Sequence, residues 1–299
     1  MTTPTLAELL TLRGAAHGLT LRGRRQARAA LIGVHSSAQR GRGLEFQEVR
    51  PYTAGDDPRS IDWRVTARRG RPHTRLYREE RERPVWLLVD LQPGTFFGSR
   101  RQLKSTLIVR TAALLAWVAA LGGDRIGAVI AGGAGVRVLP ARGRLEGVLP
   151  LLQAVLQAQP AAPAPPAPQL LGEAVRALGT VVRPGSQVLA VSDFCGAGGP
   201  DEDHWIPIAR HNDVRLYWIT DPLESNGLPP GRFRAGLPGR VLVLDGQRVR
   251  DAWRTAWQRR EQHVTELSRR LAAPVVRLDT SESVETVLRP VLLRGLPAA

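Results

Sequence analysis

The sequence predicts an α/β fold, a doubly wound and mainly parallel sheet with helices on both faces, together with a small N-terminal segment of β and irregular structure. Three observations predict it. From about Pro84 onward, short apolar runs alternate with longer helical stretches, the order that gives a parallel sheet covered by helices. Residues 85–90 (VWLLVD) and 187–194 (QVLAVSDF) are rich in branched side chains, as expected of strands buried on both faces. No repeat of fixed period occurs, which removes solenoids and propellers.

Taken in order, the strand at 85–90 precedes a helix over about 101–121, which Gly122 and Gly123 stop. Residues 124–132 form a second strand, with 135–139 as its hairpin partner, and 145–157 are helical. The stretch 159–169 (QPAAPAPPAPQ) suits neither helix nor strand, because proline lacks an amide donor and fixes φ; it is a stiff surface connector. A helix over 170–182 follows, then the strand at 187–194, a helix at 205–211 and a strand at 214–220. Residues 231–245 read as a β-hairpin, 251–271 as an arginine-rich helix and 275–278 as a last strand. The division expected is a basic segment, 1–83, packed on a main domain, 84–299. Sheets of this kind place ligands beyond the carboxyl ends of their strands, and those ends carry Asp90 and Asp193.

Composition narrows the classes. Cys195 is the only cysteine, so no disulfide forms within the chain, and a reducing cytoplasm is the expected compartment. The N-terminus lacks a signal-peptide pattern. The apolar window 103–121 holds Lys104 and Arg110, and its uninterrupted part is too short to span a bilayer; a buried helix and no membrane span are expected. Net charge is +15, yet Lys104 is the only lysine, so the basic character is almost all arginine. Codon bias and an acidic or nucleic-acid partner both account for that. Residues 1–83 hold 17 arginines against nine Asp and Glu.

Residues 98–105 (GSRRQLKS) differ from a phosphate-binding loop at Leu103, whose side chain obstructs the approach that a glycine permits. Lys104 therefore reads as a solvated or paired lysine at a helix start. The six histidines fall into no metal-ligand spacing and no G-x-S-x-G is present. Cys195 and the Asp56, Asp57 and Asp62 cluster leave a hydrolase as a further alternative. The densest group is 43–70, where Gly55-Asp56-Asp57-Pro58 is turn chemistry, and 45–52 (EFQEVRPY) before it pairs as a strand. Arg50, Tyr52, Arg59, Trp63, Arg64 and Arg68 interleave with Asp56, Asp57 and Asp62, a mixture suited to charge-assisted hydrogen bonds. These pairs either organise an irregular segment or build a docking surface.

Gly33, His35, Gly41, Gly43, Glu45 and Phe46, then RPYTAGDDPRSIDW with Ala67 and Arg68, then Glu79, Glu80 and Gly123-Asp124-Arg125 with Gly127, together resemble the DUF58 family over nearly the whole chain. These are von Willebrand A-like proteins that accompany MoxR-type AAA+ ATPases. The resemblance implies a non-enzymatic adaptor or accessory factor that binds such an ATPase and a client protein. Members often begin with two membrane helices, and this chain looks like the short soluble form. The fold implied carries a D-x-S-x-S loop that helps hold Mg²⁺. Here that loop is Asp90-Leu91-Gln92-Pro93-Gly94, with Thr95 next and Asp193 at the second acidic position. The two serines are replaced, so the expectation is no cofactor, with Mg²⁺ at a degenerate site of Asp90, Gln92, Thr95 and Asp193 as the alternative. Nucleic-acid binding by the arginine-rich N-terminal third is the rival reading.

Overall fold

Apolar runs five to eight residues long build five strands of a six-stranded sheet, and the sixth is a nine-residue edge strand of mixed polarity, Gly135–Gly143, that pairs with its predecessor as a hairpin. The computed structural model describes residues 3–21, 44–53, 56, 58–79, 84–195, 203–237 and 240–294. They fall into two units, one of Met1–Gln26 with Arg83–Ala299 and a smaller one of Ala27–Glu82.

In the larger unit, β3 (Pro84–Asp90), β4 (Arg125–Gly132), β5 (Gly135–Gly143), β6 (Gln187–Ser192), β7 (Asp213–Thr220) and β10 (Val275–Asp279) lie in the order β10-β7-β6-β3-β4-β5. All neighbours are parallel except β4 and β5. This is the doubly wound, mainly parallel sheet with helices on both faces that was expected. The chain proceeds from β3 outward to β5, then returns to lay β6 on the other side of β3. The reversal of winding between β3 and β6 is where such sheets open a crevice.

Side chains alternate across the sheet. Val85, Leu87 and Val89 of β3 join one buried cluster, and Trp86 and Leu88 join the other. The first face is covered by α1 (Leu6–Ala16), α3 (Lys104–Leu121), α4 (Arg144–Ala158) and α9 (Val284–Arg294); the second by α5 (Gln169–Val181), α6 (Trp205–His211) and α8 (Arg250–Leu271). A helix apolar on all sides needs cover on all sides, and α3 has it. By length and composition it could cross a membrane, but 83% of that window is buried inside the protein. One of its covers is α1, whose Leu9 carbonyl accepts from Trp117 Nε1 at 2.9 Å.

That contact corrects the expected division. Residues 1–83 do not form one segment, because Leu9, Leu12 and Ala16 are buried in the core of the larger unit. α7 (Pro222–Asn226) is a single turn, and β8 (Arg232–Leu237) pairs antiparallel with β9 (Arg240–Asp245) as the hairpin expected.

In the smaller unit, β1 (Leu44–Pro51) pairs antiparallel with β2 (His73–Glu79), and α2 (Trp63–Arg69) lies between them in sequence. Gly70 ends α2 in the left-handed conformation (φ 70°), which glycine adopts without steric cost.

Candidate functional site

β3 and β6 deliver Asp90 and Asp193 to the same rim. The register Trp86↔Val188 to Val89↔Val191 makes them adjacent parallel strands, and both carboxylates are almost wholly buried. Neither strand continues beyond its acid, since the backbone turns into hydrogen bonds with the acid itself. Gln92 N donates to Asp90 Oδ1 at 3.3 Å, and Cys195 N donates to Asp193 Oδ1 at 2.9 Å. Ser192 Oγ donates to Asp90 Oδ2 at 2.6 Å while accepting from Phe194 N at 2.8 Å. Phe194 lies between at φ 49°, a conformation that costs a non-glycine residue about 1–3 kcal/mol and that surrounding structure must hold.

The fourth carboxylate oxygen, Asp193 Oδ2, meets an ammonium. Lys104 Nζ donates to it at 2.6 Å and to Glu224 Oε1 at 2.9 Å. Lys104 opens α3, where its amide donates to the Phe97 carbonyl at 2.7 Å and its ammonium sits 5.6 Å from the Phe97 ring centre. The loop that brings it there is tight: a Cβ on Gly98 would lie 2.4 Å from the Gln102 carbonyl oxygen, so only glycine passes. Glu224 belongs to α7, whose capping box joins it to Asp221. Asp221 also accepts from Ser99 and Thr280, tying the 98–103 loop to the end of β10. Arg260 of α8 completes the chain of charges, 2.8 Å from Glu224 Oε1 and 3.4 Å from Cys195 Sγ.

The electrostatics follow from burial. Desolvation, aided by the nearby Asp193 charge, pushes the Asp90 carboxyl up to about 6. Desolvation acts on Asp193 in the same direction, but the Lys104 ammonium overrides it and holds that carboxyl below its usual range. For Lys104, burial disfavours the charge and the two carboxylates more than offset it, so the ammonium is held above its ordinary value. Burial, then the Asp193 charge, push the Cys195 thiol up.

The residues expected to hold Mg²⁺ do come together, but their donors are committed elsewhere. Gln92 is fully buried; its Oε1 accepts from Ala167 N at 3.0 Å and its Nε2 donates to the Cys195 carbonyl at 3.3 Å. It thus ties the proline-rich connector to the rim. Thr95 Oγ1 donates to the Gln92 carbonyl at 2.8 Å. Each oxygen of Asp90 and Asp193 already accepts a hydrogen bond, and an ammonium stands against the second acid. A hard octahedral ion needs several oxygens free of such donors, so the side chains present do not fit Mg²⁺. Among the described residues no group of three His, Cys, Asp or Glu side chains is arranged to hold a metal. Sequence reasoning missed Lys104, Glu224, Arg260 and Ser192 as members of this cluster.

The motif in the smaller unit divides differently. Arg50 Nη2 pairs with Asp56 Oδ1 at 2.6 Å, and Thr53 N donates to Asp56 Oδ2 at 3.0 Å. The Thr53 amide first, then Arg50, hold the Asp56 carboxyl below its usual range. Tyr52 Oη donates to the Asp56 carbonyl at 3.3 Å. Asp62 is buried and caps α2, accepting from the amides of Arg64 and Val65 at 3.0 and 3.2 Å. Arg59, Arg64 and Arg68 are exposed. Trp63, the first residue of α2, is 70% exposed. Gly55 and Asp57, and Gly33, His35, Gly41, Gly43 and Glu80 of the wider motif, lie outside the described residues, as do the side chains of Glu45, Phe46 and Glu79.

The chain is 35% identical over 198 residues to the uncharacterized protein Rv1480 of Mycobacterium tuberculosis and, equally, to the uncharacterized protein Mb1516 of Mycobacterium bovis; the match covers 65% of this chain and 60% of each relative. Among solved structures, it is similar to the conserved hypothetical protein BatB from Bacteroides thetaiotaomicron (16% identity, TM-score 0.44, covering 70% of this chain and 96% of that one). It is also similar to a von Willebrand factor type A protein from Catenulispora acidiphila (10% identity, TM-score 0.43, 74% and 44%). The family described as protein of unknown function DUF58 matches residues 48–272, three quarters of the sequence, and the chain belongs to that family.

Proposed function

We propose that this chain is a non-enzymatic accessory protein of the cytoplasm that docks on a MoxR-type AAA+ ATPase and assists assembly or maturation of a protein complex. The observation that carries the reading is Trp63. A tryptophan 70% exposed on a capped helix, with Arg64, Arg68 and Arg69 beside it on the same short element, has the make-up of an interface anchor rather than of a solvated face. The surrounding arginines suit an acidic patch on the partner. The ATPase as partner rests on the family resemblance. The raised Cys195 thiol supports a non-catalytic reading, because the nucleophile would be the thiolate.

Titration of the purified cognate ATPase against the wild-type chain and Trp63→Ala by calorimetry tests the proposal. Binding by the wild type, weakened at least about tenfold by the substitution, is expected. No binding of the wild type at low salt would contradict it.

The exposed arginines of α2 also favour a second reading, nucleic-acid binding. Affinity for DNA or RNA that falls steeply with salt is its signature, because neutralised phosphates release counterions. A gel shift at low salt, absent for Arg64→Glu with Arg68→Glu, would support it over the first.

A further inference from the structure

We propose that the Lys104 ammonium is the resident cation of the rim between β3 and β6, built into the chain in place of a divalent ion, so that this site neither takes nor needs a metal. The inference is independent of which partner the protein serves.

The geometry carries it. Lys104 and Asp193 are 3% and 1% exposed at the side chain, and the ammonium contacts Asp193 at 2.6 Å and Glu224 at 2.9 Å. It therefore supplies positive charge from inside the protein at the point where strand-end carboxylates would otherwise repel one another. An ammonium with three donors at tetrahedral angles fits between two acids and an aromatic face; a planar guanidinium is wider and presents its donors in a fixed fork. That difference accounts for the one lysine in a chain whose other 41 cationic side chains are arginine. The surrounding structure holds the ammonium in place through the Gly98 turn, the Phe97 carbonyl and the Asp221 hydrogen bonds, all described above. Arg260 neutralises the remaining charge of Glu224.

A consequence follows for recognition. A bound divalent ion keeps open positions and can accept a partner's carboxylate, whereas this ammonium is enclosed and already shared by two acids. A partner at this rim meets Arg260, a quarter exposed, rather than a metal.

The sole lysine makes the test direct. Reductive methylation of the folded protein with formaldehyde and a borane reductant, read by peptide mass spectrometry, is expected to modify the α-amine and to spare Lys104 by about 100-fold or more relative to urea-unfolded protein. In parallel, melting in EDTA and in millimolar MgCl₂ or MnCl₂ is expected to agree within about 1 °C, since an ion that bound the native form would raise its stability. Methylation of Lys104 at the rate of the unfolded chain, or a clear rise in melting temperature with Mg²⁺ or Mn²⁺, would overturn the proposal. Both measurements use the wild-type chain and need no variant to fold.

Discussion

Lys104 Nζ and Asp193 Oδ2 lie 2.6 Å apart although 89 residues separate them in sequence, and neither side chain reaches solvent. Removing one partner of such a pair strands a buried charge, which typically costs about 3–5 kcal/mol, while removing both together costs less. Lys104→Met and Asp193→Asn are each expected to lose stability of that order in urea denaturation. The double variant should lose clearly less than their sum. Additive losses would mean that the two groups do not interact.

Asp90 is expected to make stability fall as pH rises. Its folded-state value, raised to about 6, lies above the ordinary carboxyl value, so its contribution is fully present below about pH 4 and is lost as pH climbs through about 6. Asp90→Asn keeps an acceptor for Gln92 N or Ser192 Oγ and removes the buried charge. It should stabilise the protein at pH 8 by about 1–3 kcal/mol and have a much smaller effect at pH 4. Urea denaturation of both proteins at the two pH values checks this, and a larger gain at pH 4 would refute it.

Trp63→Ala is expected to leave global stability within about 0.5 kcal/mol, because an exposed side chain makes few contacts to lose. Thermal melting checks this, and it separates a docking residue from a structural one. A large destabilisation would place Trp63 in the framework instead.

Asp62→Ala should act locally. The loss of a side-chain cap costs about 1 kcal/mol, so the amides of Arg64 and Val65, which it now accepts from, should exchange about fivefold faster. Hydrogen exchange by mass spectrometry reads that change. Unchanged protection of α2 would show that another group caps the helix.

The central sheet was legible because burial on both faces leaves a simple trace, a short branched run such as residues 85–90, bounded by glycine or proline. The helix read from residue 101 begins at Lys104, whose amide is drawn to the Phe97 carbonyl, and the strand read to Phe194 ends at Ser192, because the amides of Phe194 and Cys195 turn back to Ser192 and Asp193. α9 escaped notice since Pro290 lies inside it and reads as a stop. α1 buries only Leu9, Leu12 and Ala16, a narrow stripe that gains its meaning only against α3. The meeting of Asp90 and Asp193 was legible as well, because acids at the ends of adjacent inner strands must share a rim. The role of Lys104 was not. Its partners at 193 and 224, and Arg260 behind them, come from different elements, and local sequence carries no sign of that convergence. The one usable signal was compositional: a lone lysine in an arginine-rich chain.

The most direct test is a crystal structure of the protein grown at pH 8 with millimolar MnCl₂, examined by anomalous scattering at the manganese edge. The account predicts no anomalous peak near Asp90 or Asp193, and Lys104 Nζ seated between Asp193 and Glu224. A manganese peak within bonding distance of Asp90 and Asp193, with Lys104 displaced, would contradict it.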